Sequence, residues 1–260
     1  MSRQAKILLL AVLLLLPATA YPESRIGSRM KLYFKEAFLP HLWYDTKTTF
    51  TEPKNWGYLA AGGALSVVAH QYDWQVNDYY KDHELAWGMA EFGNDWWGEG
   101  IFQGVLALSI MTGGYHYQNE EVASAGEALL EAQLIQGAII NIIKPIAHKE
   151  RPNESSYKSF PSGHTGTAFC TAAVLHDRFG WKLGAPAYTF AVITGLARMD
   201  VQAHWVSDVV MGATIAMVTG YSVSQNYDPY PYKVRFHEAD VLAMPLYRDD
   251  KYGMAVAASW

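Results

Sequence analysis

Residues 144–208 read KPIAHKERPNESSYKSFPSGHTGTAFCTAAVLHDRFGWKLGAPAYTFAVITGLARMDVQAHWVSD. Two apolar runs inside this stretch, Gly166 to His176 and Pro186 to Ala197, are long for strands and show no period-two alternation. Each is therefore predicted as a helix. Three polar segments surround them. Lys144 to Pro152 joins a helix end to a proline-bounded loop: Pro145 is expected to interrupt any helix continuing from Ile143, and Pro152 forces Arg151 to be extended. Ser159 to Thr165 is a turn feeding an apolar helix, with Ser162 where an N-cap is expected. Arg198 to Asp208 sets His204 and Asp208 four residues apart, on one helical turn.

The helical pattern continues on both sides. Trp56 to His70, Ile101 to Thr112 (closed by Gly113-Gly114), Ala123 to Ile143 and Ser207 to Tyr221 complete the set, and Glu127 and Glu131 share one face of the third run. No period-two run precedes residue 233. The fold class is all-α, a helical bundle around one core. Residues 21–55 are read as an amphipathic helix followed by an extended linker ending at Pro53, and residues 56–227 as the helical domain. Residues 228–260 form an extension in which Val241–Tyr247 and Tyr252–Trp260 make a β-hairpin across a four-residue turn. A loop from Gln71 to Glu99 carries Trp74, Trp87, Trp96 and Trp97 among acidic residues, a density that suits a membrane interface or an apolar substrate mouth.

Composition narrows the classes. The 260 residues carry 20 Lys+Arg against 25 Asp+Glu, a net charge of −5, so bulk charge gives no nucleic-acid binder. Half the residues are apolar, which excludes a mainly disordered chain. Cys170 is the single cysteine, leaving no internal disulfide framework and no cysteine-based zinc site. Residues 1–20 carry Arg3 and Lys6, ten apolar residues from Ile7 to Leu16, and a small-x-small Ala18-Thr19-Ala20. That is the pattern of a cleaved secretory signal of bacterial type, with an apolar run too short to span a bilayer. The expected location is the periplasm or an envelope membrane. Gly100–Asn119 and Val209–Tyr227 lack charge, but Gly, Ser, Thr, Gln and Asn run through both, and surface association is favoured over integral membership.

The three polar segments hold complementary chemistry. Lys144, Arg151 and Arg198 make a clamp for a tetrahedral oxyanion. Ser162 and Gly163 open a helix whose first amides favour an anion. His164 follows at once, placed to exchange a proton with the bound group. Asp208 can hold the imidazole of His204 in one tautomer and raise its basicity. Three cations, helix-start amides and two histidines suit phosphoryl transfer, although these residues alone do not choose which histidine attacks.

Lys144-x6-Arg151-Pro152, Pro161-Ser162-Gly163-His164 and Arg198-x5-His204-x3-Asp208 resemble, in order and spacing, the three signature motifs of the type 2 phosphatidic acid phosphatase (PAP2) superfamily. That superfamily includes lipid phosphatases, class A acid phosphatases and vanadium haloperoxidases. The resemblance implies metal-independent phosphatase chemistry. His204 would attack phosphorus to form a phosphohistidine, with Asp208 orienting it. His164 would protonate the leaving group and then activate water. Lys144, Arg151, Ser162, Gly163 and Arg198 would hold the phosphate oxygens. One departure is visible: Ala197 stands where the third motif usually has Ser.

The expected substrate is a phosphorylated lipid (phosphatidic acid-like, a prenyl pyrophosphate or a lipid A phosphate) or a small phosphate ester, with membrane contact, no nucleic-acid partner and no fixed oligomeric state. No cofactor is expected; vanadate enters as an inhibitor or, in a haloperoxidase, as the cofactor. The rivals are a soluble periplasmic acid phosphatase, a vanadate-dependent haloperoxidase and a non-catalytic binder of anionic lipid. His70 with Asp73, or His83 with Asp82 and Glu84, match no defined metal spacing, and Cys170 reads as a small buried hydrophobe.

Overall fold

The computed structural model describes residues 25–85, 87–227, 233–236, 239–248 and 251–259; the proposed signal at 1–20 lies outside them. The chain enters as α1 (Arg25–Leu32), a π-helical stretch (Tyr33–Ala37) and α2 (Phe38–Thr51) without interruption. The expected linker before Pro53 is thus helical to Thr51. Only Glu52 is extended, and Pro53 opens α3 (Pro53–His70) at the position where its missing N–H costs nothing. Next come α4 (Asp73–Asp82), α5 (Trp87–Glu91) and a second π-helical stretch (Phe92–Trp97), so the predicted Trp-rich loop is mostly helical. The remaining helices are α6 (Gly100–Tyr117), α7 (Glu120–Ala147), α8 (Gly163–Phe179), α9 (Trp181–Asp200) and α10 (Val206–Asn226).

Local chemistry explains the boundaries. Asn119 caps α7 by accepting the Val122 amide at 3.1 Å. Gly113 and Gly114 do not end α6; Gly114 lies where the start of α7 presses in, and a Cβ there would fall 2.2 Å from the Ala123 nitrogen. Pro145 does not stop α7, which runs to Ala147 before His148 turns left-handed at φ 43°. Within the last turn a proline removes one hydrogen bond without forcing a break.

The core is built from small side chains. Ala107, Ala128, Ala132, Cys170, Ala216 and their larger neighbours Leu129, Ile135 and Val174 join α6, α7, α8 and α10. Ala168, Ala172, Ala187 and Ala191 seal α8 against α9. Helix α8 is the centre, with α7, α9 and α10 around it. The N-terminal helix covers one side, setting Met30, Tyr33 and Ala37 on Met111, Tyr115 and Ala123. Its polar anchor is Glu131 on α7. Glu131 Oε1 accepts from Tyr33 (2.6 Å) and from Tyr227 at the end of α10 (2.7 Å), and Glu127 accepts from Tyr115.

Several helices are apolar on the outside. Helix α3 buries Asn55, Gly62 and Ser66 and exposes Trp56, Tyr58, Leu65, Val67 and Val68. Helix α2 buries Asp45 and Thr49 and exposes Leu39, Trp43 and Phe50. This reverses the amphipathicity of a water-facing helix and suits an apolar surrounding. Helices α7 and α10 are long and apolar enough to cross a membrane, with 33% and 67% of their apolar windows buried. Both observations weigh against a protein that merely rests on a membrane surface.

Beyond α10 the backbone forms a meander, β1 (Lys233–Phe236), β2 (Ala239–Arg248) and β3 (Lys251–Ser259), paired antiparallel in that order. Arg248 pairs with Lys251, so the β2–β3 connection has two residues where four were expected, and β1 adds a strand to the predicted hairpin. A shorter turn keeps the register in phase with the flanking strands.

Gly212 fixes the approach of α10 to the start of α8, since a Cβ there would lie 2.4 Å from the Ser162 carbonyl oxygen. Gly212→Ala is expected to destabilise by about 1–3 kcal/mol through overpacking. Gly63, open on the outer face of α3, is the control: Gly63→Ala should leave the melting temperature unchanged or raise it. Thermal denaturation of both variants checks the pair.

Candidate active site

The eight residues expected to act together meet at one end of the α7–α10 core. His204 lies in the turn between α9 and α10, where its amide and that of Ala203 both donate to the Arg198 carbonyl. Asp208 sits in the first turn of α10. Its Oδ2 accepts the Trp205 amide at 2.9 Å, while the Asp208 amide donates to the Trp205 carbonyl at 3.1 Å. This reciprocal cap holds the carboxylate to the helix start, where the helix dipole favours it. Oδ2 also accepts the Ser159 hydroxyl at 2.5 Å, and Oδ1 accepts Lys149 Nζ at 2.9 Å.

His204 Nδ1 stands 3.7 Å from Asp208 Oδ2, with His204 2% and Asp208 0% exposed. Burial pushes the His204 pKa down to about 4, and Arg198 and Lys144 push the same way against Asp208. The imidazole is therefore neutral at neutral pH. With its proton on Nδ1, the nitrogen facing the carboxylate, Nε2 keeps its lone pair.

The cations and amides surround this pair. Lys144, in the last turn of α7, donates to the carbonyls of Lys158 and Pro161, each at 2.8 Å, and so ties the loop before α8 to α7. Arg198 Nη1 donates to Asn94 Oδ1 at 2.9 Å. The Nε atoms of Arg198 and Arg151 are buried and find no hydrogen-bond partner among the described residues. The Ser162 amide donates to the Asp208 carbonyl, joining the second motif to the third. Its hydroxyl pairs with Thr165 rather than capping a backbone amide. Gly163 and His164 open α8, where the first amides lack helical acceptors. A Cβ at Gly163 would come no nearer to protein than 4.0 Å, from Ile140, so packing does not demand the glycine.

His164 Nε2 lies 3.7 Å from Glu99 Oε2. Burial lowers its pKa, with Arg198 and Arg151 acting the same way and Glu99 opposing. Arg198 thus acts electrostatically on both imidazoles. Ala197 is fully buried where the Gly93 backbone approaches; a Cβ at Gly93 would meet its methyl at 2.9 Å. The residue that departs from the motif is closely packed against the π-helical stretch. Among the described residues, no group of three or more His, Cys, Asp or Glu side chains is arranged to hold a metal ion.

Sequence reasoning missed Lys149, Ser159, Asn94, Glu99 and Asp73. Lys149 and Ser159 lie within or beside the quoted motifs and read as ordinary polar loop residues. Asn94 and Glu99 come from far upstream and carry no local signal, and Asp73 stands out only beside His70, as a pair that matches no metal spacing.

Residues 125–230 match the family model of the PAP2 superfamily. A Lipid A 1-phosphatase of Porphyromonas gingivalis is 33% identical over 121 residues, 44% of this chain and 27% of that protein. A Lipid A 4'-phosphatase of Helicobacter pylori is 28% identical over 139 residues, 50% of this chain and 66% of that protein. The match therefore spans less than two thirds of either relative. Among solved structures, Aquifex aeolicus LpxE aligns over 59% of this chain and 87% of its own, at TM-score 0.41 and 20% identity. A transmembrane PAP2 type phosphatidylglycerolphosphate phosphatase from Bacillus subtilis aligns over 74% and 95%, at TM-score 0.40 and 20% identity.

Two outcomes follow from this geometry. Gly163→Ala is expected to fold with the parent's melting temperature yet to weaken inorganic phosphate binding, read by calorimetry; parental affinity would mean that anions do not approach this backbone. Lowering the pH from 6.5 toward about 4 protonates His204 in the unfolded chain while the folded imidazole stays neutral, so this residue withdraws stability across that window. His204→Gln should lose less stability than the parent there, measured by denaturation at several pH values.

Proposed function

From the match of residues 125–230 to the PAP2 superfamily model, we propose that this chain is a phosphatase acting on a lipid-linked phosphate monoester, with a lipid A phosphate as the favoured substrate. The observation that carries the reading is the buried His204–Asp208 pair set among three cations beside the open amides of α8. The names of the two relatives favour lipid A over the other lipids. The apolar outer faces of α2 and α3 support membrane contact, and the segment 1–20 supports export to the bacterial envelope.

In this scheme the phosphate oxygens bind Lys144, Arg151, Arg198 and the Ser162-Gly163 turn. His204 Nε2 attacks phosphorus; an N–P bond forms as the ester P–O bond breaks. His164 gives its proton to the departing lipid alkoxide. It then takes a proton from water, whose oxygen attacks phosphorus, breaks the N–P bond and releases inorganic phosphate. Asp208 stabilises the charge that builds on His204. The low pKa values of both imidazoles support these roles in part: His204 stays neutral for attack, and His164 must gain its proton as the anionic substrate enters. The scheme uses no cofactor, and vanadate is expected to inhibit by occupying the phosphate site.

Phosphate release in detergent micelles from lipid A, phosphatidic acid, a prenyl pyrophosphate and p-nitrophenyl phosphate tests the reading. Lipid A is expected to be fastest, His204→Ala to lose about 10³-fold or more, and acid-quenched labelled substrate to leave an acid-labile phosphoprotein. If p-nitrophenyl phosphate outpaces every lipid, the chain is a general acid phosphatase. Vanadate-dependent bromide oxidation would make it a haloperoxidase. Parental turnover by His204→Ala would end the covalent scheme.

A further inference from the structure

The carboxylate of Asp208 is backed by a second buried acid that lies outside the three motifs and outside residues 125–230. Asp73, at the start of α4, is 2% exposed. Its Oδ1 accepts the Ser207 amide at 3.0 Å, and its Oδ2 accepts the Ser207 hydroxyl at 2.8 Å. The same Oδ2 receives Lys149 Nζ at 2.9 Å and lies 2.6 Å from His70 Nδ1, at the end of α3. Lys149 Nζ in turn donates to Ser207 Oγ at 2.7 Å and to Asp208 Oδ1 at 2.9 Å. Its three donors are matched by three acceptors, and its charge also faces the Trp205 ring at 5.7 Å.

We propose that Lys149 and Asp73 are positioning residues for the reacting histidine, acting through Asp208. Lys149 holds Oδ1, while Ser159 and the Trp205 amide hold Oδ2, so the carboxylate cannot swing away from His204. An ammonium this close would also neutralise Asp208 and cancel the field that His204 needs. Asp73 restores it: two carboxylates sharing one ammonium leave a net charge of −1 facing the imidazole. Asp73 also clamps both polar groups of Ser207, one residue before Asp208, so α3 and α4 fix where α10 begins. Burying three charges is costly, and an apolar trio of the same shape would serve stability as well or better.

The groups that set the proton affinity of His204 are Asp208 on α10, Arg198 on α9 and Lys144 on α7, with Lys149, Asp73 and His70 standing behind Asp208. Each variant therefore has a sign. Lys149→Met removes a positive charge, stabilises the imidazolium, and moves the acid limb of kcat/KM to higher pH. Asp73→Asn removes a negative charge and moves it to lower pH.

The inference rests on the phosphatase reading, and the experiment separates the two. The full chain in detergent micelles is assayed on lipid A across pH, with parent and His204→Ala as references. If the parent is inactive or His204→Ala matches it, the phosphatase reading fails first. With an active parent, Lys149→Met is expected to lower kcat at least tenfold with KM within about threefold, and the two single variants to shift the acid limb in opposite directions. Lys149→Arg should recover most of the rate. Parental kcat in Lys149→Met, or limbs that move together, would overturn the proposal. Should Lys149→Met not fold, Asp73→Asn/Lys149→Met removes the opposed charges together. It is expected to fold and remain at least tenfold slow, and parental kcat in it would overturn the proposal equally.

Discussion

A carboxylate shut away from water must be surrounded by donors, and at Asp208 those donors come from separate parts of the chain. Lys149 and Ser159 reach it from the loop between α7 and α8, and the Trp205 amide from the turn before α10. The carbonyl of the same residue receives the Ser162 amide. Two loops that share no secondary structure, 148–162 and 201–205, are thereby held to one point. The cations and the two imidazoles inherit their relative positions from that arrangement, because Lys144, Ser162, His164 and Arg198 all sit at helix ends abutting those loops.

The scaffold around this point is organised by close approach. Alanines fill the α8–α9 and α7–α10 contacts, and Gly212 and Gly114 stand where a backbone presses in. Helices packed this closely leave little space for large side chains between them. In α2 and α3 many of the large apolar side chains instead face outward, with Phe38 and Leu42 of α2 packed on the core, and asparagine, serine, threonine and aspartate face inward with hydrogen-bond partners such as Ser222, Ser207 and Asn226. Specificity of packing in these two helices comes from polar pairs and small contacts rather than from burial of bulky apolar groups.

Much of this was legible in the sequence for a physical reason. Long apolar runs declare helices because no strand of that length hides so many consecutive side chains, and the helices over residues 163–179, 181–200 and 206–226 fell where the runs lay. The eight motif residues were legible because their spacing is short and each sits at a helix end. The misreadings have causes of the same kind. Pro145 reads as a stop, yet a proline in a final turn forfeits only one bond. The Trp-rich stretch reads as a loop because its aromatic and acidic residues follow no helical period; in the fold Trp97 packs on Phe190 and Phe102, and tertiary packing overrides the local pattern. The contact of Asp73 with Ser207 and that of Asn94 with Arg198 are illegible because a contact across a hundred residues leaves no trace in local spacing.

The location of Asp73 bears on how this architecture can be cut. A shortened polypeptide beginning at residue 125 would retain both imidazoles, the cations Lys144, Arg151 and Arg198, and the whole of α8–α10. It would lose the α3–α4 corner, leaving the Lys149 ammonium with one acid instead of two and the Ser207 amide without its acceptor. The contacts that brace Asp208 therefore reach upstream to His70, well before residue 125, where the family match begins.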